Sequence, residues 1–266
     1  MYATRYLKVA SLEAAQAALS QGDDPKLLAG GMTLLPTLKQ RLAAPDLLID
    51  LAACDLSYIT DQGDSLRIGA MTTHADVASS DLVQQAIPAL AELAGGIGDR
   101  QVRNRGTIGG SLANNDPAAC YPAAILGLGG VVHTNQRDIA ADDFFVDMFE
   151  TALEEDEIIG AVSCPKPQKS AYLKYPNPAS RYAMVGVFVA QFEQDVRLAI
   201  TGAGENGVFR LPEMEALLAA EFSATALADQ QVSEEGLMSD IHASADFRAH
   251  VISQMVGRAV NAAQIR

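Results

Sequence analysis

The chain has 266 residues, 49% hydrophobic and 20% charged, enough for one large domain or two to three small ones with their own cores. Nineteen Lys and Arg stand against 33 Asp and Glu, a net charge of −14, so no basic face is available for nucleic acid. Cys54, Cys120 and Cys164 are odd in number, widely spaced and form no C-x-x-C, which excludes an iron–sulfur cluster or zinc ribbon built from this chain's thiols alone. They read as reduced thiols. Residues 1–9 carry Arg5 and Lys8 among tyrosines and lack the apolar core of a signal peptide. The most apolar stretch, 122–132, is broken by glycine and too short to span a bilayer. The expectation is a soluble cytoplasmic protein with no transmembrane segment.

In chain order, Ser11 is placed to cap a short helix over 12–19. The run 26–29 predicts a buried strand, broken by Gly30-Gly31. Thr33 follows as an N-cap candidate, with Pro36 in the first turn of a helix running to about Leu42. Residues 47–51 predict a second strand. Alternation over 56–70 around Asp61-Gln62-Gly63-Asp64 predicts a hairpin. Thr73 is placed to cap a helix to Ser79, and 87–95 predicts a helix ended by Gly95-Gly96. After a basic stretch at 100–105 comes Gly106-Thr107-Ile108-Gly109-Gly110-Ser111, which reads as a glycine turn. Asp116-Pro117 is then expected to open a helix, with Asp at N-cap and Pro at N1. A strand is expected to resume at 131–132, and 144–149 and 158–162 complete the middle region.

Pro165, Pro167, Pro176 and Pro178 mark a boundary or a loop-rich crossing. Beyond it, 182–192 and 196–201 predict a strand hairpin across Glu193-Gln194-Asp195, and the remainder is expected to be helical. Phe247, Val251, Ile252, Met255, Val256, Ala259 and Val260 form an amphipathic stripe. The order of elements predicts an α+β protein in at least two parts.

Chemistry has three candidate places. The turn Leu28-Ala29-Gly30-Gly31-Met32-Thr33-Leu34 sits between a strand and a helix. Glycine frees the backbone amides to converge on a diphosphate, and the helix start adds partial positive charge. Alone, it reads first as a structural tight turn. The turn 107–111 adds two hydroxyls and follows Arg100, Arg103 and Arg105, a local reversal of the chain's charge. Those arginines fit a solvated loop or a face turned to a partner subunit. The literal G-x-G-x-x-G at 202–207 follows a strand but opens no helix inside a βαβ unit, so it reads as a strand-to-loop turn. His74, His133, His242 and His250 show no ligand spacing, and His74 reads as a packing or capping residue. With no acid–base constellation in the side chains, a cofactor is expected to carry the chemistry.

Residues 29–36, together with Arg103-Asn104-Arg105-Gly106-Thr107-Ile108-Gly109-Gly110-Ser111-Leu112-Ala113-Asn114-Asn115-Asp116-Pro117, resemble the FAD-binding medium subunit of the molybdenum hydroxylases. That family includes aerobic carbon monoxide dehydrogenase and the flavin domain of xanthine dehydrogenase. The resemblance extends through Leu173-Lys174-Tyr175 and Arg181-Tyr182-Ala183-Met184-Val185-Gly186-Val187. It implies an α+β fold with two PCMH-type FAD-binding subdomains, 1–54 and 55–168, and a C-terminal domain of antiparallel strands and helices, 169–266. It implies that Leu27, Leu28, Ala29, Gly30, Gly31, Met32, Thr33 and Leu34 wrap the diphosphate of FAD, with Thr107, Gly109, Gly110 and Ser111 on the other side. Ile97 and Ile159 would give apolar contacts, Lys174 would approach the cofactor, and Tyr182 would lie near the isoalloxazine. No catalytic residue and no metal ligand is expected on this chain.

One position departs from the family. Where an acidic residue usually binds the adenosine ribose, this chain has Cys120, a poor acceptor that is expected to weaken FAD binding; Asp116 is placed to compensate. The resemblance implies an oxidoreductase subunit whose partners are a molybdopterin-containing large subunit and a [2Fe–2S] small subunit. Electrons would reach FAD from those clusters and leave to NAD, a quinone or oxygen. A self-contained flavin oxidase and a module that has lost FAD are the alternatives. No glycine loop contains the histidine that often tethers FAD in such oxidases.

Overall fold

A computed structural model describes residues 2–264. Residues 5–50 contain a parallel three-stranded sheet from β1 (Arg5–Lys8), β2 (Pro25–Leu28) and β3 (Leu47–Asp50), in the order β1-β3-β2. Helix α1 (Leu12–Leu19) crosses between β1 and β2, its first turn capped by the Ser11 hydroxyl accepting from the Ala14 amide at 3.2 Å. Helix α2 (Leu34–Lys39) follows β2. It ends three residues before Leu42, which is largely exposed. Thr33 occupies the N-cap position with helical backbone and its side chain caps nothing, contrary to the sequence expectation.

The middle of the chain builds a five-stranded sheet in the order β4-β5-β10-β6-β7. Its first hairpin, β4 (Ile59–Asp61) with β5 (Ser65–Gly69), turns where the alternation predicts. Helices α3 (His74–Ser79), α4 (Asp81–Ala86) and α5 (Pro88–Gly95) follow, the first two capped by Thr73 and Ser80 hydroxyls and the last stopped at Gly96. The basic stretch is a short helix, α6 (Arg100–Arg103), rather than a loop, because Asp99 caps it by accepting from the Val102 amide at 2.8 Å.

The glycine turn at 106–111 is corrected as well: it is the start of helix α7 (Ile108–Asn114), with Thr107 as a working N-cap that accepts from the Gly110 amide. Two glycines disguise the helix, and a good cap outweighs their poor propensity. Asp116-Pro117 opens no helix. The Asp116 carboxylate accepts from the Ala118 amide at 2.8 Å and closes a local turn, and α8 (Tyr121–Leu128) begins only after it, with Pro122 in its first turn. Strands β6 (Val131–Thr134) and β7 (Asp138–Ala140), helix α9 (Ala141–Phe144), the small hairpin β8 (Phe145–Asp147) with β9 (Glu150–Thr151), and β10 (Ile159–Pro165) complete this part.

The last sheet is antiparallel, β11 (Lys169–Pro176), β12 (Ala183–Gln191), β13 (Val196–Gly204) and β14 (Gly207–Arg210) in that order. The proline-marked stretch expected to be a loop crossing thus contains β11; its prolines bracket the strand instead of interrupting it. Helix α10 (Pro212–Ala220) and the long α11 (Ala245–Gln264) pack behind this sheet. Residues 221–244 are mostly irregular, with one 3-10 turn, so the tail is less helical than expected. Along α11 the stripe from Val251 to Val260 is buried, while Phe247 stays 40% exposed against the Tyr175 ring. The sequence GAGENG is the turn of the β13–β14 hairpin, as the missing helix implies.

The middle core is shared between sheets. Helix α8 is buried along its whole length, and Tyr172, Phe188, Ala190 and Ala199 of the last sheet belong to the same apolar cluster as Ile125 and Val162. Two polar devices lock the same junction. The Thr201 hydroxyl and Gly202 amide of β13 hold the carbonyls of Pro117 and Ala119. Asp142 of α9 takes guanidinium hydrogen bonds from Arg197 on β13 and Arg210 on β14. No helix among the described residues is long and apolar enough to cross a membrane.

Candidate functional site

One cleft of about 810 Å³ lies where the three sheets meet. Its first wall is the bend after β2. Gly31 is left-handed at φ +72°, which turns the chain out of the strand and into α2. Gly30 is required for a different reason from the one the sequence suggests: a Cβ there would sit 1.9 Å from the Arg105 carbonyl oxygen. The glycine lets the two loops touch. The amides of Gly30, Gly31, Met32, Thr33 and Leu34 find no acceptor among the described residues. Five residues of the cleft lining thus have amides that no protein acceptor uses, donors available to an anionic ligand.

The opposite wall is the first turn of α7, and it works differently. Its amides are mostly occupied: Ile108 donates to the Thr72 carbonyl, Gly109 to Ala70, Gly110 to the Thr107 hydroxyl and Ser111 to the Thr107 carbonyl. Gly109 is glycine because a Cβ would strike the Ala70 backbone at 2.8 Å. What this wall offers a ligand is hydroxyl chemistry. Ser111 Oγ makes no hydrogen bond among the described residues, and Thr107 can still donate its proton while accepting from Gly110. Amides offered from both bends were expected; those of 108–111 are already taken by protein acceptors, and only those of 30–34 are not. A Cβ at Gly110 would lie 3.5 Å from Ala29 Cβ and 2.9 Å from Thr107 Oγ1, so the two walls nearly meet there.

Of the residues singled out from the sequence, Leu27, Ala29, Gly30, Gly31, Met32, Thr33, Leu34, Ile97, Thr107, Gly109, Gly110, Ser111, Asp116, Cys120, Ile159, Lys174 and Tyr182 all line this cleft. Leu28 does not. Its side chain packs toward Gly31 and its carbonyl accepts from the Leu51 amide at 3.1 Å, so it anchors the bend from behind. Ile97 and the buried Ile159 are joined by Leu153 and Ile158 in an apolar section of the wall.

The far end is polar. Lys174 Nζ donates to the Gly96 carbonyl at 2.7 Å and lies 3.8 Å from Cys120 Sγ. Burial pushes the Cys120 thiol up, against the opposing pull of Lys174, so the sulfur stays protonated and leaves the ammonium unneutralised. Tyr182 stands at the rim, half exposed, on a loop held by Asn177, whose side chain accepts from the Ala179 and Ser180 amides. Its phenol is pushed up by burial and by Asp116 and Cys120 nearby.

Two wall residues carry no signal in the sequence. His74, expected only to pack or cap, is buried with its ring 5.2 Å from that of Tyr121, and Nδ1 has no partner. Burial, with the Arg103 charge, holds it down to about 4, so the imidazole is neutral. It fills the space under Gly106, where a Cβ would meet Nε2 at 2.5 Å. Glu157 has a fully buried side chain fixed by Arg137, the Thr134 hydroxyl and the Glu154 amide. It clamps the loop that carries Leu153 and Ile158 into the cleft. A long-range pairing such as Glu157 with Arg137 leaves no periodic trace to read. Of the arginines, Arg103 is half-buried and donates to the Ile97 and Gly98 carbonyls, supporting the wall, while Arg100 and Arg105 are exposed. No cluster of three or more His, Cys, Asp or Glu suited to a metal occurs among the described residues.

The geometry is a cleft with a bend of unpartnered amides, two hydroxyls, an apolar section and a cationic end, which suits an extended dinucleotide. Comparison with known proteins points the same way. Residues 2–167 match the family described as FAD binding domain in molybdopterin dehydrogenase. The chain is 36% identical to the nicotine 6-hydroxylase medium subunit of Paenarthrobacter nicotinovorans, over 97% of this chain and 96% of that protein. It is also 36% identical to the carbon monoxide dehydrogenase medium chain of Hydrogenophaga pseudoflava, over 92% and 91%. Among solved structures, quinoline 2-oxidoreductase from Pseudomonas putida 86 superposes with a TM-score of 0.88 at 29% identity, covering 98% of this chain and 96% of that one.

Proposed function

Because this chain belongs to the FAD-binding domain family of the molybdopterin dehydrogenases, as an FAD-binding medium subunit of a molybdenum hydroxylase, we propose that it is the last electron relay of a three-subunit enzyme. Substrate would be oxidised on a molybdopterin-containing large subunit, and electrons would arrive through [2Fe–2S] clusters of a small subunit. They would leave to NAD, a quinone or oxygen. Bound FAD supplies the two-electron redox chemistry that no side chain of this protein can. The protein's own share is to bind, orient and shield.

The observation that carries this reading is the row of unpartnered amides from Gly30 to Leu34, in the same cleft as the hydroxyls of Thr107, which accepts from Gly110 but still has a proton to donate, and Ser111. Those donors would hold the diphosphate, at a cost of little reorganisation because the backbone is already bent. Ile97 and Ile159 would exclude water from the apolar part of the cofactor. Lys174, freed of a carboxylate partner by Cys120, would supply a cation at the far end of a cleft that Lys26 and Arg181 also line, and Asp116 would take the ribose. Tyr182 would cover the isoalloxazine at the rim.

The same reading divides the chain at 1–54, 55–168 and 169–266, with the three-, five- and four-stranded sheets falling one to each part and the β8–β9 hairpin in the second, and with the third contributing Lys174 and Tyr182 to the shared cleft. The test is the absorbance spectrum of the purified protein before and after adding FAD, together with the subunits that co-purify. A flavin spectrum and two companion chains support the relay. A protein that neither carries nor takes up FAD ends it, and one that turns over an organic substrate unaided makes it an oxidase instead.

A further inference from the structure

The hairpin β8–β9 is an unusual piece of surface. Val146, Met148 and Phe149 are 52%, 39% and 58% exposed, three large apolar side chains within four residues. Phe149 is also left-handed at φ +59°, a conformation that a bulky side chain rarely adopts and that glycine takes freely. An exposed aromatic at a turn position suited to glycine gains nothing from the fold of this chain.

The tip is nevertheless held firmly. Asn115, buried and itself left-handed at the end of α7, donates through Nδ2 to the carbonyls of Asp147 and Glu150 at 2.9 Å each, and its own carbonyl accepts from the Phe149 amide. Three hydrogen bonds fix the turn to the helix whose first turn lines the cofactor cleft. The side chains are thus presented in place before any encounter.

Charge says what they are presented to. Residues 141–157 contain eight Asp and Glu and no Lys or Arg. Asp142, Asp156 and Glu157 are used inside the chain, but Asp143, Asp147, Glu150 and Glu155 are exposed with no ion pair among the described residues. Acidic groups around an apolar tip complement an apolar pocket rimmed by Lys and Arg.

We propose that the hairpin at 145–151 is a preorganised docking tip that inserts Phe149 and Met148 into a basic-rimmed apolar pocket on another subunit of the same complex. This rests on the reading of the chain as one subunit of a larger enzyme. Phe149 is the anchor, Val146 and Met148 widen its contact, and the carboxylates set orientation and encounter rate.

The test exploits the strained backbone. Phe149→Gly removes the anchor while giving the turn the residue its φ favours, so the isolated chain should keep or raise its Tm. In the complex isolated with its co-purifying subunits, the dissociation constant measured by dilution and size-exclusion should rise at least tenfold. Asp147→Lys with Glu150→Lys should weaken assembly further, and the salt dependence of the wild-type association should flatten in that variant. Wild-type assembly in both variants overturns the proposal. So does a wild-type chain that dimerises alone and becomes monomeric on Phe149→Gly, because the occupant is then a second copy. If the wild-type chain brings down no companion subunit at all, the subunit reading itself has failed and the docking tip falls with it.

Discussion

Valine at position 110 separates binding from folding. A Cβ there points at Ala29 Cβ and Thr107 Oγ1, where the cleft walls nearly meet, and a second methyl would fill the space between bend and helix. The expected outcome is at least a hundredfold loss of FAD affinity by fluorescence titration, with the far-ultraviolet circular dichroism retained; stoichiometric FAD in the variant removes this assignment of the loop. At the other end, Cys120→Asp should tighten FAD by about 1–3 kcal/mol, roughly 5- to 150-fold in dissociation constant. The new carboxylate would accept hydrogen bonds that a protonated thiol accepts poorly. Unchanged or weaker binding would count against the idea that Cys120 weakens FAD binding. At the residue scale the sequence was most legible where a residue type is forced, as at Gly31. It was incomplete where one residue serves two causes: Gly30 and Gly109 line the cleft and are also required by the close approach of neighbouring backbone.

Among the elements, the loop at 152–158 shows how a wall is held by charge. The Arg137 guanidinium holds the Glu157 carboxyl down to about 2, against the opposing effect of burial. A folded value below the ordinary 4.5 means that the pair stabilises the protein above about pH 4.5 and that this stability drains away as pH falls toward 2. Glu157→Gln should therefore flatten the dependence of Tm on pH across that window, and an unaltered acid limb would assign the loss to other carboxylates. Arg137→Ala leaves a buried carboxylate with only the Thr134 hydroxyl and the Glu154 amide and should cost about 1–3 kcal/mol. β5 was visible from sequence by its alternation, and β12 and β13 as continuous apolar runs because both of their faces are buried. Helix α7 was hidden by its two glycines. Strand β11 was hidden by prolines that flank it, and the turn at Asp116 was mistaken for a helix start because Asp-Pro serves both. Much of the cleft could be named in advance. His74 and Glu157 could not, since their partners are far away in sequence.

For the whole molecule, the decisive fact is that the middle core is completed by the last sheet. Helix α8 lies against β12, β13 and β14, so a chain cut after residue 168 would uncover it. Such a fragment should bind a hydrophobic dye strongly, elute as aggregate and take up no FAD; a monodisperse, flavin-loaded fragment would mean that the first two sheets suffice. The junction is also electrostatic, and Asp142→Asn, which weakens the bonds from Arg197 and Arg210, should lower stability by about 1–2 kcal/mol in denaturant melts.

That sharing of one core sets a timetable. Lys174 and Tyr182 reach the cleft only when β11 and β12 are in place, and the turn at 116–120 is stapled only by Thr201 and Gly202 of β13. A ribosome that has made the whole of the sequence-proximal glycine motifs has therefore not yet made a container for the flavin. The cleft in its complete form exists only once the chain has grown past residue 204. Cells starved of riboflavin should then accumulate finished, empty subunits rather than truncated ones.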